Sequence, residues 1–251
     1  MAVQSFLVSP EARNKTKVER WFFVGLAVAM MAVAVAGFAP SIVNTAGRRA
    51  PVSLLAVAHG VVFFVWLGIF LVQGSLVASG NVRLHRRVGV AAVFVLVPMV
   101  VLGYTTSIAM MSRGFDLSGD LRIERDPLAA AIFPLGDLLI FAVLVTAAIV
   151  YRRHPEIHKR LMLFGNIALM PAPLAHFIGH WPRLAALPPG IILVPISMFL
   201  MAAVAREYLP TGKVHPMTLG LAVAMFLSGP VRAFVIGPSA AWHRLASWLA
   251  R

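Results

Sequence analysis

The chain has no cysteine among its 251 residues. That excludes disulfides, thiolate metal sites and covalently attached c-type haem, and it leaves the compartment open. Charge is scarce: Asp, Glu, Lys and Arg together make up 12%. Acidic residues are scarcest, nine Asp and Glu against 22 Lys and Arg. The alternating ten-residue pattern of a membrane β-barrel is also missing. What is there is apolar. Hydrophobic residues make up 60% and mean hydropathy is +0.86. A soluble domain of this length does not read so. A succession of apolar runs near twenty residues each predicts an all-α fold, a polytopic membrane helical bundle. In hydrocarbon each backbone amide must be paired within its own segment, which helices achieve. The net charge of +13 invites a nucleic-acid reading. The basic residues sit instead in short loops between apolar runs, where they orient a protein in a lipid bilayer.

Residues 1–20 form a basic tail carrying Arg13, Lys15, Lys17 and Arg20. Residues 21–237 hold seven predicted spans, near 21–43, 52–79, 88–111, 128–151, 161–181, 189–208 and 217–236. The first is longer than a signal-peptide core and reads as an uncleaved helix. Residues 238–251 place Trp242, Leu245, Trp248 and Leu249 at helical spacing, a short interfacial amphipathic helix. With seven spans the termini lie on opposite sides. The N-terminal side collects 13 of the 22 basic residues, from Arg13 through Arg83, Arg86, Arg87, Arg152, Arg153, Lys159 and Arg160 to Arg206 and Lys213. That excess predicts a cytoplasmic N-terminus and an outer C-terminus in a bacterial inner membrane. The mixed-charge connection from Ser112 to Pro127 is then external.

One stretch organises the expectations, PEIHKRLMLFGNIALMPAPLAHFIGHW from Pro155 to Trp181. His158 and His176 are 18 residues apart, and as one helix that is five whole turns, about 27 Å along one stripe. Imidazoles would then lie near both faces of a bilayer. The second span carries His59, Trp66 and Gln73 at steps of seven, aimed inward; the fourth carries Asp137, the fifth Asn166, His176 and His180, the seventh Ser228 and Arg232. Polar groups thus sort into an outer cluster (His59, Asp137, His176, His180, Arg232) and an inner pair, His85 and His158.

The outer cluster supports three readings. His176 and His180, at i and i+4, with His59 and Asp137 form a zinc or iron shell. Imidazoles from different helices hold a haem axially. Or Asp137 pairs with Arg232 or a histidine in a ligand-free polar core. At the inner pair, His85 with Arg86 and His158 with Lys159 and Arg160 suit a haem b edge, the cations neutralising propionates. The same residues also serve as interfacial anchors. The turns Arg83–Val88 and Glu156–Leu161 form a faint repeat, which would set two helical hairpins side by side. Six prolines inside the runs, among them Pro171, Pro173 and Pro230, mark candidate hinges around a transport path.

The segments AHGVVFFVWLGIFLVQGSLVASGNVRLHRRVG and LGDLLIFAVLVTAAIVYRRHPEIHKRLML resemble a family of uncharacterised bacterial multi-pass membrane proteins, over about residues 20 to 175. That resemblance implies no activity. The paired histidine hairpins are similar, more loosely, to the two-haem transmembrane cytochrome b family. That likeness implies non-covalent haem b, His59 opposite His176 or His180 outside, His85 opposite His158 inside, and a quinone or redox partner. Three histidines and an aspartate in seven helices are also similar to the membrane zinc amidohydrolases of the ceramidase and adiponectin-receptor group. That would give Zn²⁺ on His59, His176 and His180, with Asp137 holding a nucleophilic water.

Overall fold

A computed structural model describes residues 10–43, 51–114 and 125–251. The acidic half of the connection expected to be external, Asp116 to Glu124, lies outside the described residues. Among those described the fold is all-helical, with no strand. Seven segments are long and apolar enough to cross a membrane: Arg20–Val43, Leu54–Ala78, Val82–Arg113, Pro127–Val150, Pro155–His180, Gly190–Thr211 and Pro216–Ile236.

Local chemistry sets the helix ends. Helix α1 covers Pro10–Val43. α2 (Leu54–Ala78) is capped by the Ser53 side chain, which accepts from Ala56 N–H. α3 (Val82–Arg113) begins six residues before the predicted span, because Asn81 caps it by accepting from Leu84 N–H. At 32 residues α3 is about 48 Å long, so its first turns extend past a bilayer's apolar core. The fourth span is α4 (Pro127–Ala130), capped by Asp126, followed by α5 (Ile132–Val150).

The fifth span corrects the sequence expectation. It is two helices, α6 (Pro155–Ile167) and α7 (Pro171–His180), separated by a break at residues 168–170. Pro171 and Pro173 have no N–H to donate to the Ile167 and Leu169 carbonyls, although Met170 itself keeps helical angles, φ −75° and ψ −24°. The chain tightens instead into short bonds, Leu169 N–H to Asn166 O (3.1 Å) and Met170 N–H to Ile167 O (3.0 Å). His158 and His176 therefore lie on different helices. α8 (Pro182–Ala185) and a 3₁₀ turn (Pro189–Ile192) lead to α9 (Leu193–Thr211). α10 (Pro216–Val231) runs into a π-helical turn, Arg232–Ile236, and α11 is Ala240–Leu249.

The broken span is the axis of the bundle. In its apolar window 67% of residues are buried, against 28% or less in every other span. α7 packs on α1, α6 on α5, and α2 between α1 and α3. Close approach depends on missing side chains. A Cβ on Gly37 of α1 would collide with the Pro173 carbonyl, and one on Gly165 would come within 2.9 Å of Val145. Met30, Phe164, Ile167, Met170 and Phe199 fill one core cluster; Trp66, Met99, Phe141 and Val145 fill a second. Many large apolar side chains point outward, Phe94, Met201 and Leu139 among them.

Candidate functional site

At the end of the bundle where α3 and α6 begin, the two histidine turns meet. His85 sits in the first turn of α3, and Pro155 starts α6 so that His158 falls in its first turn. Their rings lie 6.4 Å apart, with planes crossed at 81°. The His158 ring is tied to a neighbouring helix, Nδ1–H donating to Ala148 O on α5 at 2.8 Å. The His85 ring lies toward the Gln73 backbone carbonyl on α2. Among the described residues, Nδ1 of His85 and Oε1 of Gln73 are buried without a hydrogen-bond partner. Gly89 makes room for that glutamine, since a Cβ there would stand 3.1 Å from its Nε2.

The cations beside the pair are not equivalent. Arg86 and Arg87 are exposed and form no ion pair among the described residues. Lys159 Nζ reaches Glu156 at 2.6 Å. Arg160, expected beside a propionate, is buried and committed elsewhere. Its Nη2 contacts Glu207 at 2.8 Å, its Nε donates to Thr218 Oγ1 at 3.0 Å, and its Nη1 meets Glu156 at 3.0 Å. Glu207 also accepts from Thr218 Oγ1 and His215 N–H, both at 2.9 Å. This network ties α6 to α9 and α10. Glu207 was legible only as a lone carboxylate in an apolar run.

The outer cluster does not form the expected shell. His59 stacks on Phe63 at 4.1 Å and its ring lies toward the Leu102 carbonyl, so it faces α3. His176 lies 4.8 Å from Phe38, and His180 Nε2 is 3.1 Å from Ser41 Oγ, so both face α1. Asp137 forms an ion pair with Arg232, Oδ1 to Nη1 at 2.7 Å. Among the described residues no group of three or more His, Asp or Glu is gathered to hold a metal ion. The His59 stripe does point inward, but toward two neighbours. Trp66 Nε1–H donates to the buried Asn166 Oδ1 at 3.0 Å, a bond that sequence reasoning missed.

Of the remaining histidines, His215 caps α10 by accepting from Met217 N–H at 3.2 Å, and His154 precedes α6. His243 of α11 contacts Asp126 Oδ2 at 2.9 Å. Comparison with protein-family models, curated proteins and solved structures gives no match to this chain.

Proposed function

We propose that this is a seven-span protein of the bacterial inner membrane, N-terminus cytoplasmic and C-terminus outside, that binds one haem b between His85 and His158. Its role is to pass electrons at the cytoplasmic face, to or from a quinone or a redox protein. The membrane reading rests on seven apolar helices, apolar side chains turned outward and the excess of basic residues on one side.

One observation carries the haem reading. His85 and His158 come from different helices and their rings stand 6.4 Å apart, so they are the residues that would hold a haem iron between them. The bond from His158 to the Ala148 carbonyl is of the kind that orients a ligating imidazole and raises its basicity. Nδ1 of His85 is buried without a hydrogen-bond partner among the described residues, and as a lone pair it would be available to the iron. Arg86, Arg87 and Lys159 are the cations for propionates. When bound, haem supplies a one-electron carrier; the protein tunes it through these ligands and its apolar surroundings.

The reading is narrower than a two-haem relay. His176 and His180 share one helix, so they cannot approach a porphyrin from opposite faces, and His59 faces α3. The test is the absorbance spectrum of purified protein. A Soret band, a reduced α-band and about one haem per chain are expected, lost in His85→Ala and in His158→Ala and kept in His176→Ala. A colourless wild-type protein, after expression with added haem precursor, overturns it.

A further inference from the structure

A second polar feature lies apart from the histidine pair, where the central span breaks. Asp137 and Arg232 are both buried. Arg232 Nη1 also donates to Phe133 O at 3.0 Å, and its Nε to Ser228 O at 3.2 Å. Gly136 gives the guanidinium its place, since a Cβ there would stand 2.7 Å from Nη1. Beside the pair is a cavity of about 30 Å³, lined by Asp137, Ser228 and Arg232 and by Ala168 and Pro171 of the break. A water needs roughly 10–15 Å³ and two to four polar partners. Those partners are present. The Asp137 carboxylate, the Arg232 guanidinium and the Ser228 hydroxyl all lie on the cavity wall. The Ser228 hydroxyl gives its proton to Met225 O at 2.8 Å and keeps its lone pairs free.

We propose that this cavity is a hydrated charge centre facing the outer aqueous phase, that it holds water beside Asp137 and that movement of its walls admits small hydrophilic solutes as far as that residue. Its position sets the side of entry. Asp137 is five residues into α5, about 8 Å from that end of the helix. Arg232 closes α10, and Leu193 and Ile196 of the cavity wall belong to the first turn of α9. All three ends lie on the side assigned to the C-terminus. The walls can also move. α6 and α7 are joined by only three non-helical residues, and the π turn beginning at Arg232 replaces the regular helical bond with Gly237 N–H to Arg232 O. Pairs of this kind inside a bundle, next to a discontinuous helix, mark solute pathways.

The chain has no cysteine, so single cysteines can be placed in the full-length protein without removing others. Ser228→Cys and Met225→Cys report the cavity; Val143→Cys, outward on α5, is the lipid-facing control. Sealed vesicles of known orientation are treated with a charged, membrane-impermeant thiosulfonate. The expected result is labelling of both cavity positions from the C-terminal side, and no labelling at Val143→Cys from either side. Each variant must elute as a single species and label fully once denatured in detergent. No labelling of either cavity position in such protein, or labelling only from the N-terminal side, overturns the proposal. Neither outcome depends on haem.

Discussion

The Asp137–Arg232 pair gives the sharpest energetic test. Arg232→Met and Asp137→Leu each remove one charge and leave the other buried. At 2.7 Å and an effective dielectric near 20, the pair's attraction is roughly 6 kcal/mol, most of it offset by desolvation of the two groups. Removing one partner keeps the other's desolvation cost without its compensation, about 3–5 kcal/mol. Removing both leaves apolar side chains of similar volume and no stranded carbonyl. Phe133 O sits within the α5 ladder, and Ser228 O still accepts from Arg232 N–H. The double variant should therefore recover to within about 1 kcal/mol of the parent. The assay is equilibrium unfolding in mixed micelles titrated with an ionic detergent, on all four proteins. A double variant as unstable as the two singles added together would mean that the groups are not coupled. A harmless Arg232→Met would mean that cavity water alone compensates the Asp137 charge left behind.

Three further outcomes are expected. Gly37→Ala drives a methyl into the Pro173 backbone, which no rotamer change relieves, and should cost about 1–3 kcal/mol in the same unfolding assay, where Gly25→Ala, facing open space, should not. Asn166→Leu strands the buried Trp66 Nε1–H and should cost about 1–3 kcal/mol, with Trp66→Phe in the same chain restoring much of it. The third concerns the docking of α11. The Ser239 carbonyl, then Asp126, raises His243 above its ordinary 6.5, and the Ala129 N–H, then His243, lowers Asp126 below 3.8. A raised histidine contributes below its ordinary value and stops as pH rises through the folded one. A lowered carboxylate contributes above its ordinary value and stops as pH falls. α11 should thus resist proteolysis best between about pH 4 and pH 6.5, losing protection on the alkaline side in step with His243, and Asp126→Asn should flatten the profile. A parent profile flat across that range would remove the pair from any role in docking.

Much of the bundle is written in the chain at the level of hydropathy. Seven apolar runs became seven spanning-length helices because nothing else satisfies twenty consecutive apolar amides. Ends were read less well where a side chain intervenes. Asn81 starts α3 well inside a basic turn, a capping signal that hydropathy ignores. The inner site was partly legible too. Two similar turns, each with histidine before basic residues, implied side-by-side hairpins, and His85 does meet His158. That Arg160 turns away from the pair was not legible, because its partner Glu207 lies 47 residues away in sequence.

The outer cluster shows where such reading stops. Periodicity tells which side chains share a face only while the helix is unbroken. His158 and His176 were phased through Ala168, Leu169 and Met170, and those residues leave the helix because Pro171 and Pro173 cannot donate. Past the break α7 packs on α1 with Gly37 against Pro173, and His176 and His180 meet Phe38 and Ser41. The expected metal shell also fails on the unbroken α2, where His59 faces α3. Ala168 and Pro171 of the break line the cavity beside the Arg232–Asp137 pair. Restoring the ladder with Pro171→Ala and Pro173→Ala together should shrink that cavity, and the labelling of Ser228→Cys should fall with it.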